Sequence, residues 1–143
     1  MRIIAKLSIG PYAQFGIIDN YDENCNYAKY KPGKYNFVSI PDDIINDWWE
    51  AFLSMESRPL DYPIHHTALD RWGVTIIPPE SLPLFIKIVS SKNLLKHRYR
   101  YEYRNRPRYR RRYKRKLSRM LNDLMLLLKK AHAENKYIIH YGI

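Results

Sequence analysis

Residues 117–143, LSRMLNDLMLLLKKAHAENKYIIHYGI, hold the clearest structural signal in the sequence. Apolar side chains recur at i, i+3, i+4, i+7, i+8 and i+11, which is one face of a helix; they are Leu117, Met120, Leu121, Leu124, Met125 and Leu128. We expect this helix to continue to about Glu134. The following segment KYIIHYGI predicts a strand at the end of the sequence.

Upstream of this helix, short apolar runs alternate with amphipathic stretches. The runs predict strands at residues 2–8, 15–18, 35–40 and 74–77. Pro41, Asp42 and Asp43 are typical of a helix start, because proline presets φ and acids favour the positive end of the helix dipole. The apolar spacing predicts one helix from there to about Leu53 and another over 82–89, with Pro83 in its first turn.

Residues 56–72 show no period and predict a long loop. The 143 residues, 45% hydrophobic and 14% aromatic, suit one folded domain. We therefore predict an α+β fold in a single domain, residues 1–143. It has a short mixed sheet, about three helices and a basic arm that leads into the last long helix.

One segment carries the net charge of the chain. Residues 96–119, KHRYRYEYRNRPRYRRRYKRKLSR, contain 13 of the 25 Lys and Arg residues and the single acid Glu102, a net charge of +12. The rest of the chain, with 12 basic and 13 acidic residues, is close to neutral. A local excess of this kind predicts an acidic partner, with nucleic-acid phosphates ahead of an acidic protein surface.

The residue types of this segment favour nucleic acid. Arginine outnumbers lysine 10 to 3, and its planar fork suits bidentate phosphate contacts. Five tyrosines are interleaved, and unpaired bases stack on aromatic rings, which favours RNA or a single strand over duplex DNA. The predicted interface comprises Arg98, Tyr99, Arg100, Tyr101, Tyr103, Arg104, Arg106, Arg108, Tyr109, Arg110, Arg111, Arg112, Tyr113, Lys114, Arg115, Lys116 and Arg119.

The sequence before Pro107 does not decide between a strand and a helix, whereas the sequence after Pro107 favours a helix. HRYRYEYR at 97–104 alternates with period two, as in a two-faced strand, but the same residues also suit a helix. Pro107 predicts a break, because it lacks an N–H and restricts the preceding residue. Beyond it, RYRRRYKRKLSRML can join the long helix and place basic residues at steps of three and four. The alternative is a solvated arm whose tyrosines pack on the domain.

Two further segments, WGVTIIPPESLPLF at 72–85 and NKYIIHYGI at 135–143, resemble a group of small bacterial proteins without an established activity. LSIGPYAQFGIID near the start and NDWWE in the first predicted helix are also similar to that group. The resemblance covers residues 1–92 and 120–143. It implies a core of 1–93 and 117–143 with residues 94–119 as an insertion, and it implies no functional residue.

Other candidate sites are weaker. We find no nucleophile elbow, phosphate-binding glycine loop or dinucleotide fingerprint, and we predict no catalysis, cofactor or metal. His65 and His66, with Asp61 and Asp70, match no metal-ligand spacing.

The remaining histidines, cysteine and tryptophans have ordinary structural interpretations. His132 and His140 are predicted to be surface residues or hydrogen-bonded ones. Cys25 has no partner for an internal disulfide and no cation cluster to activate it. Trp48 and Trp49 point about 100° apart on a helix, so we expect that they are not both fully buried.

The leading hypothesis is a small cytoplasmic protein that binds RNA or a nucleoprotein without catalysis, for example an anti-CRISPR-type inhibitor of an RNA-guided effector. The single cysteine and the short apolar run before Gly10 and Pro11 fit an intracellular location. The alternative is a protein-binding inhibitor, such as a toxin-neutralising immunity protein, whose basic arm meets an acidic surface. A membrane partner is disfavoured, because the basic run lacks an apolar face before Leu117.

Overall fold

The fold is an antiparallel sheet with helices on one face. The computed structural model describes residues 12–22, 24–27, 37–59, 66–67, 69, 73–90 and 107–142. The strands in this part are β1 (Tyr12–Ile18), β2 (Val38–Pro41), β3 (Glu56–Pro59), β4 (His66–Thr67), β5 (Val74–Ile77) and β6 (Tyr137–Tyr141). They lie in the order β2-β1-β6-β5-β3-β4, and every described pair is antiparallel. The α+β class is confirmed, whereas the expected mixed sheet is an antiparallel one.

Four α-helices and one 3₁₀ turn accompany these strands in the described residues. They are α1 (Asp42–Asp47), α2 (Trp49–Phe52), the 3₁₀ turn Pro79–Ser81, α3 (Leu82–Ser90) and α4 (Pro107–Ala133). The helix expected after Pro41 begins at Asp42, but it is divided at Trp48 into two short helices. Trp48 is buried and Trp49 is half-buried, so the expectation for this pair is confirmed.

The loop expected over residues 56–72 is partly wrong. Residues 56–59 form β3, which pairs with β5 on one side and with the two-residue strand β4 on the other. Their short polar sequence has no alternating apolar pattern, so nothing local indicates a strand. Pairing with β5, whose four residues are all buried, supplies the missing stabilisation.

The other predicted strands agree with the structure to different extents. The strand at 74–77 has the predicted bounds, and the one at 15–18 is the second half of β1. The strand predicted at 35–40 is described from Val38 to Pro41, and the strand predicted at 2–8 lies outside the described residues. The predicted C-terminal strand is β6, the strand that joins β1 to β5 at the centre of the sheet.

Helix α4 is 27 residues long, about 40 Å at 1.5 Å per residue. It starts at Pro107, where the missing N–H of proline costs no intrahelical hydrogen bond. It ends in a Schellman motif: Asn135 has φ 54°, its N–H donates to the carbonyl of His132, and the N–H of Lys136 donates to the carbonyl of Ala131 over 2.8 Å. The chain therefore turns directly from α4 into β6.

The main core lies between the sheet and the helices. Phe15 on β1 contacts Phe85 on α3 with ring centroids 5.6 Å apart, and Phe85 in turn lies 5.4 Å from Phe52 on α2. All three rings are fully buried. From α4 the buried residues are Leu117, Leu121, Leu124, Leu128 and Ala131. This face of α4 agrees with the periodicity of the sequence, and the opposite face is left for other contacts.

His140 is a buried polar residue in this core. It lies on β6 beside Phe15 of β1 and Thr75 of β5, and its ring is 5.0 Å from that of Phe15. Its exposed fraction is 2%, and its Nδ1 has no hydrogen-bond partner among the described residues. Burial lowers the pKa of His140 to about 3. The expectation of a surface or hydrogen-bonded histidine is therefore wrong here, whereas His132 is exposed as expected.

Candidate nucleic-acid interface

Helix α4 has a buried apolar face and, on the opposite side of its first half, a cationic face. At about 100° per residue, its buried positions fall in an arc of about 80° that faces the sheet and α3. We define the basic stripe as five cationic residues that fall in an arc of about 140° centred roughly opposite the buried positions. They are Arg111, Arg112, Arg115, Lys116 and Arg119.

The four arginines of the basic stripe are exposed, and Lys116 is half-buried. The ammonium of Lys116 lies 5.8 Å from the centre of the Tyr12 ring on β1, within the range of a cation–π contact. This contact places Lys116 beside the first residue of β1. Lys114 is also exposed and lies beside the stripe.

Before Leu117, α4 has no buried side chain among those that the structure describes. Arg111, Arg112, Lys114 and Arg115 are exposed, and the first buried residue of the helix that the structure describes is Leu117. An exposed helical segment gains little from tertiary packing. The exposed side chains of Arg111, Arg112, Lys114 and Arg115 are accessible to a long polyanion.

The electrostatics of this segment are unfavourable for the isolated helix. The first turn of α4 contains no acidic residue, and residues 107–119 contain no acid at all. Cations near a helix N-terminus oppose the macrodipole, and like charges at i and i+4, such as Arg111 with Arg115, repel each other. A bound polyanion reverses both effects, because each neutralised phosphate also releases condensed counterions.

The predicted interface residues are only partly within the described structure. Arg111, Arg112, Lys114, Arg115, Lys116 and Arg119 lie together on α4. Arg108, Tyr109, Arg110 and Tyr113 belong to the same helix, but their side chains lie outside the described part. Arg98, Tyr99, Arg100, Tyr101, Tyr103, Arg104 and Arg106 lie outside it altogether. Stacking of bases on the tyrosines therefore stays a prediction.

The structure also shows a feature that the sequence analysis missed, a groove of about 480 Å³ beside the second half of α4. We call it the α4 groove. Asp123, Leu126, Leu127 and Lys130 line it from the helix, and Ile17, Ile18, Asp19, Phe37 and Val38 line it from the sheet side. The signal that could have found it is the pair Leu126 and Leu127, which lie outside the periodic apolar face. Leu126 is 59% exposed.

The described part of the structure gives no support for a metal site near His65 and His66 or for a reactive Cys25. His65, Asp61 and Asp70 lie outside the described residues, and His66 lies on β4. Within the described part of the chain, no group of three or more histidine, cysteine or acidic residues is placed to hold a metal ion. Cys25 is exposed, and its thiol is free.

Comparisons with known proteins give no assignment. No protein-family model, no curated protein and no solved structure matches the chain. The resemblance of residues 72–85 and 135–143 to a group of bacterial proteins therefore stays a prediction. None of the described helices combines the length and the apolar character needed to cross a membrane.

Proposed function

We propose that this protein binds RNA through the basic stripe and the neighbouring residues of the 96–119 segment, and that it acts by binding and not by catalysis. The observation that carries the proposal is the placement of the stripe: four exposed arginines on the helix face opposite the core, in a segment without a described buried residue before Leu117. Structural roles for these arginines are weak explanations, because no described acidic partner pairs with the stripe.

The spacing of the stripe suits a phosphate backbone. Successive arginines at steps of three and four lie about 5–6 Å apart on the helix surface, which resembles the phosphate spacing of a single strand. Each guanidinium can donate two parallel hydrogen bonds to one phosphate. The helix also starts at Pro107, so the preceding tyrosine-rich residues 97–104 are adjacent to the stripe along the chain. Arginine-rich segments of this type bind structured RNA and single strands.

The proposed role in a cell is inhibition of an RNA-containing complex in the cytoplasm. A small domain that lays a cationic helix on guide or target RNA blocks the channel through which an RNA-guided effector binds nucleic acid, which is the anti-CRISPR type of inhibition. The size of the chain and the exposure of the four stripe arginines on α4 support this version of the proposal.

Fluorescence anisotropy with labelled single-stranded RNA, structured RNA and duplex DNA tests the proposal. We expect the tightest binding to RNA. With about six phosphate contacts, the affinity for a single strand should fall roughly 10²- to 10³-fold between about 50 and 200 mM salt. Absence of binding at the lower salt concentration would contradict the proposal. It would favour an acidic protein surface as the partner of the same stripe, as in a toxin-neutralising inhibitor.

A further inference from the structure

The α4 groove continues the outer face of α4 on which the basic stripe lies. Asp123, the first groove residue of the helix, is one turn beyond Arg119, the last residue of the stripe. The volume of about 480 Å³ is within the range of small-ligand sites, roughly 300–1,000 Å³. Ile17, Val38 and Leu127 are partly buried and form an apolar wall against the core. A strand bound along the stripe therefore reaches a partly apolar recess.

Three of the five charged side chains that line the groove pair with one another and together leave a net charge of −1. The ammonium of Lys136 lies 3.0 Å from a carboxylate oxygen of Asp19 and 3.7 Å from one of Glu134. The hydrogen bond with Asp19 raises the pKa of Lys136. Within the described residues, no ion pair engages Asp123 or Lys130, although both are exposed. The groove thus offers one carboxylate and one ammonium to a ligand.

These two groups share one side of the helix with an exposed leucine between them. Asp123, Leu126, Leu127 and Lys130 are spaced i, i+3, i+4 and i+7, so they lie along one face over two turns, about 10 Å. Leu126 is 59% exposed. Phe37 also lines the groove, but its ring packs edge-on against Tyr141, with ring centroids 6.0 Å apart. A flat ligand with hydrogen-bond donors at one end and an anion at the other matches this arrangement.

We propose that the α4 groove binds a guanine nucleotide of the RNA strand, with the base against Leu126, its Watson–Crick edge on Asp123 and a phosphate on Lys130. This inference rests on the proposed RNA-binding function and names the base that the site reads. Guanine is the base that presents two adjacent donors on this edge, N1–H and the exocyclic amino group. The two oxygens of a carboxylate accept both at once.

The other bases fit this carboxylate less well. Adenine and cytosine place an acceptor nitrogen next to their amino group, and uracil places its single N–H between two carbonyl oxygens. An acceptor held against the Asp123 carboxylate is repelled, because an ionised carboxylate has no proton to donate. The groove therefore distinguishes guanine through both attraction and repulsion.

The test compares binding of three single strands of about ten nucleotides: a uridine tract, the same tract with one central guanosine, and the same tract with inosine, which lacks the amino group of guanine. We expect the wild-type protein to bind the guanosine strand about tenfold more tightly than the tract, since one good base contact is worth this much, with inosine intermediate. Asp123→Asn should lose this preference. Leu126→Ala should weaken binding of the guanosine strand selectively.

Glu50→Gln is the matched control, because Glu50 is an exposed acid on α2 outside the groove. It removes the same charge as Asp123→Asn and should keep the guanosine preference. Equal binding of the three strands by the wild-type protein, or a preference that survives in Asp123→Asn, overturns the guanine site and leaves RNA binding by the stripe intact. If the wild-type protein binds no strand at low salt, both the site and the proposed function are wrong.

Discussion

Replacing Arg111, Arg112, Arg115 and Arg119 together with alanine is expected to weaken single-stranded RNA binding by roughly 30- to 1,000-fold. The four arginines lie along one exposed face of α4, and each exposed charge contact contributes about 0.5–1 kcal/mol to the binding free energy. Their contributions add up when all four are removed. The slope of log affinity against log salt should also decrease by about 3, since each lost phosphate contact removes about 0.7. Anisotropy titrations at several salt concentrations measure both quantities.

The fold of the quadruple alanine variant should be unaffected. The four side chains are exposed, and alanine has the highest helix propensity while relieving the repulsion between like charges. We expect the thermal midpoint, followed by circular dichroism, to stay unchanged or to increase. Unfolding of this variant would show that the arginines stabilise the domain and would contradict the account of a binding surface.

The quadruple lysine variant is the matched control, because it keeps the four charges and removes only the planar guanidinium groups. Its salt dependence should equal that of the wild-type protein, with an intermediate affinity that reflects the loss of bidentate contacts. If the alanine and lysine variants bind equally well, charge on the stripe makes no contribution and the interface lies elsewhere.

The free energy of unfolding is expected to decrease by about 2 kcal/mol between pH 7.5 and pH 5 because of His140. Its pKa is about 3 in the folded protein, against 6.5 in the unfolded chain. Between these two values the unfolded chain binds a proton that the folded protein does not, so the contribution of His140 is fully present above pH 6.5. It is lost progressively as the pH falls towards 3, to a total of roughly 4 kcal/mol.

Urea denaturation of His140→Met and His132→Gln isolates this contribution. Methionine fills the buried site between Phe15 and Thr75 without a titratable group, so the decrease of about 2 kcal/mol should disappear. His132 is exposed, and its replacement should leave the decrease intact. A pH dependence that survives in His140→Met would show that other groups cause it. The Nδ1 atom, for which the described residues offer no hydrogen-bond partner, is also removed, so this variant should be at least as stable at pH 7.5.

The sequence predicts α4 and β6 well because their signals are local. A helical period of apolar residues from Leu117 to Leu128 determines the buried face, and Asn135 tolerates the positive φ that ends the helix. The start at Pro107 follows from the chemistry of proline. Because the buried face is determined, the opposite position of the basic stripe is determined too.

The strands β3 and β4 and the α4 groove were not predicted, because they depend on contacts between distant parts of the chain. Residues 56–59 become a strand through pairing with β5, about 17 residues further along. The groove forms where α4 passes the end of β1, and it combines Ile17 with Leu127 from opposite ends of the sequence. The burial of His140 likewise follows from the central place of β6 in the sheet.

Lysine footprinting tests the central claim most directly, since it locates bound RNA on the intact protein. The chain is treated with an amine-acetylating reagent, with and without saturating single-stranded RNA, and each lysine is quantified by mass spectrometry. We predict that RNA protects Lys114 and Lys116 on α4, while Lys87, exposed on α3 and outside the stripe, reacts equally in both samples. Unchanged acetylation of Lys114 and Lys116 at saturating RNA would contradict the account.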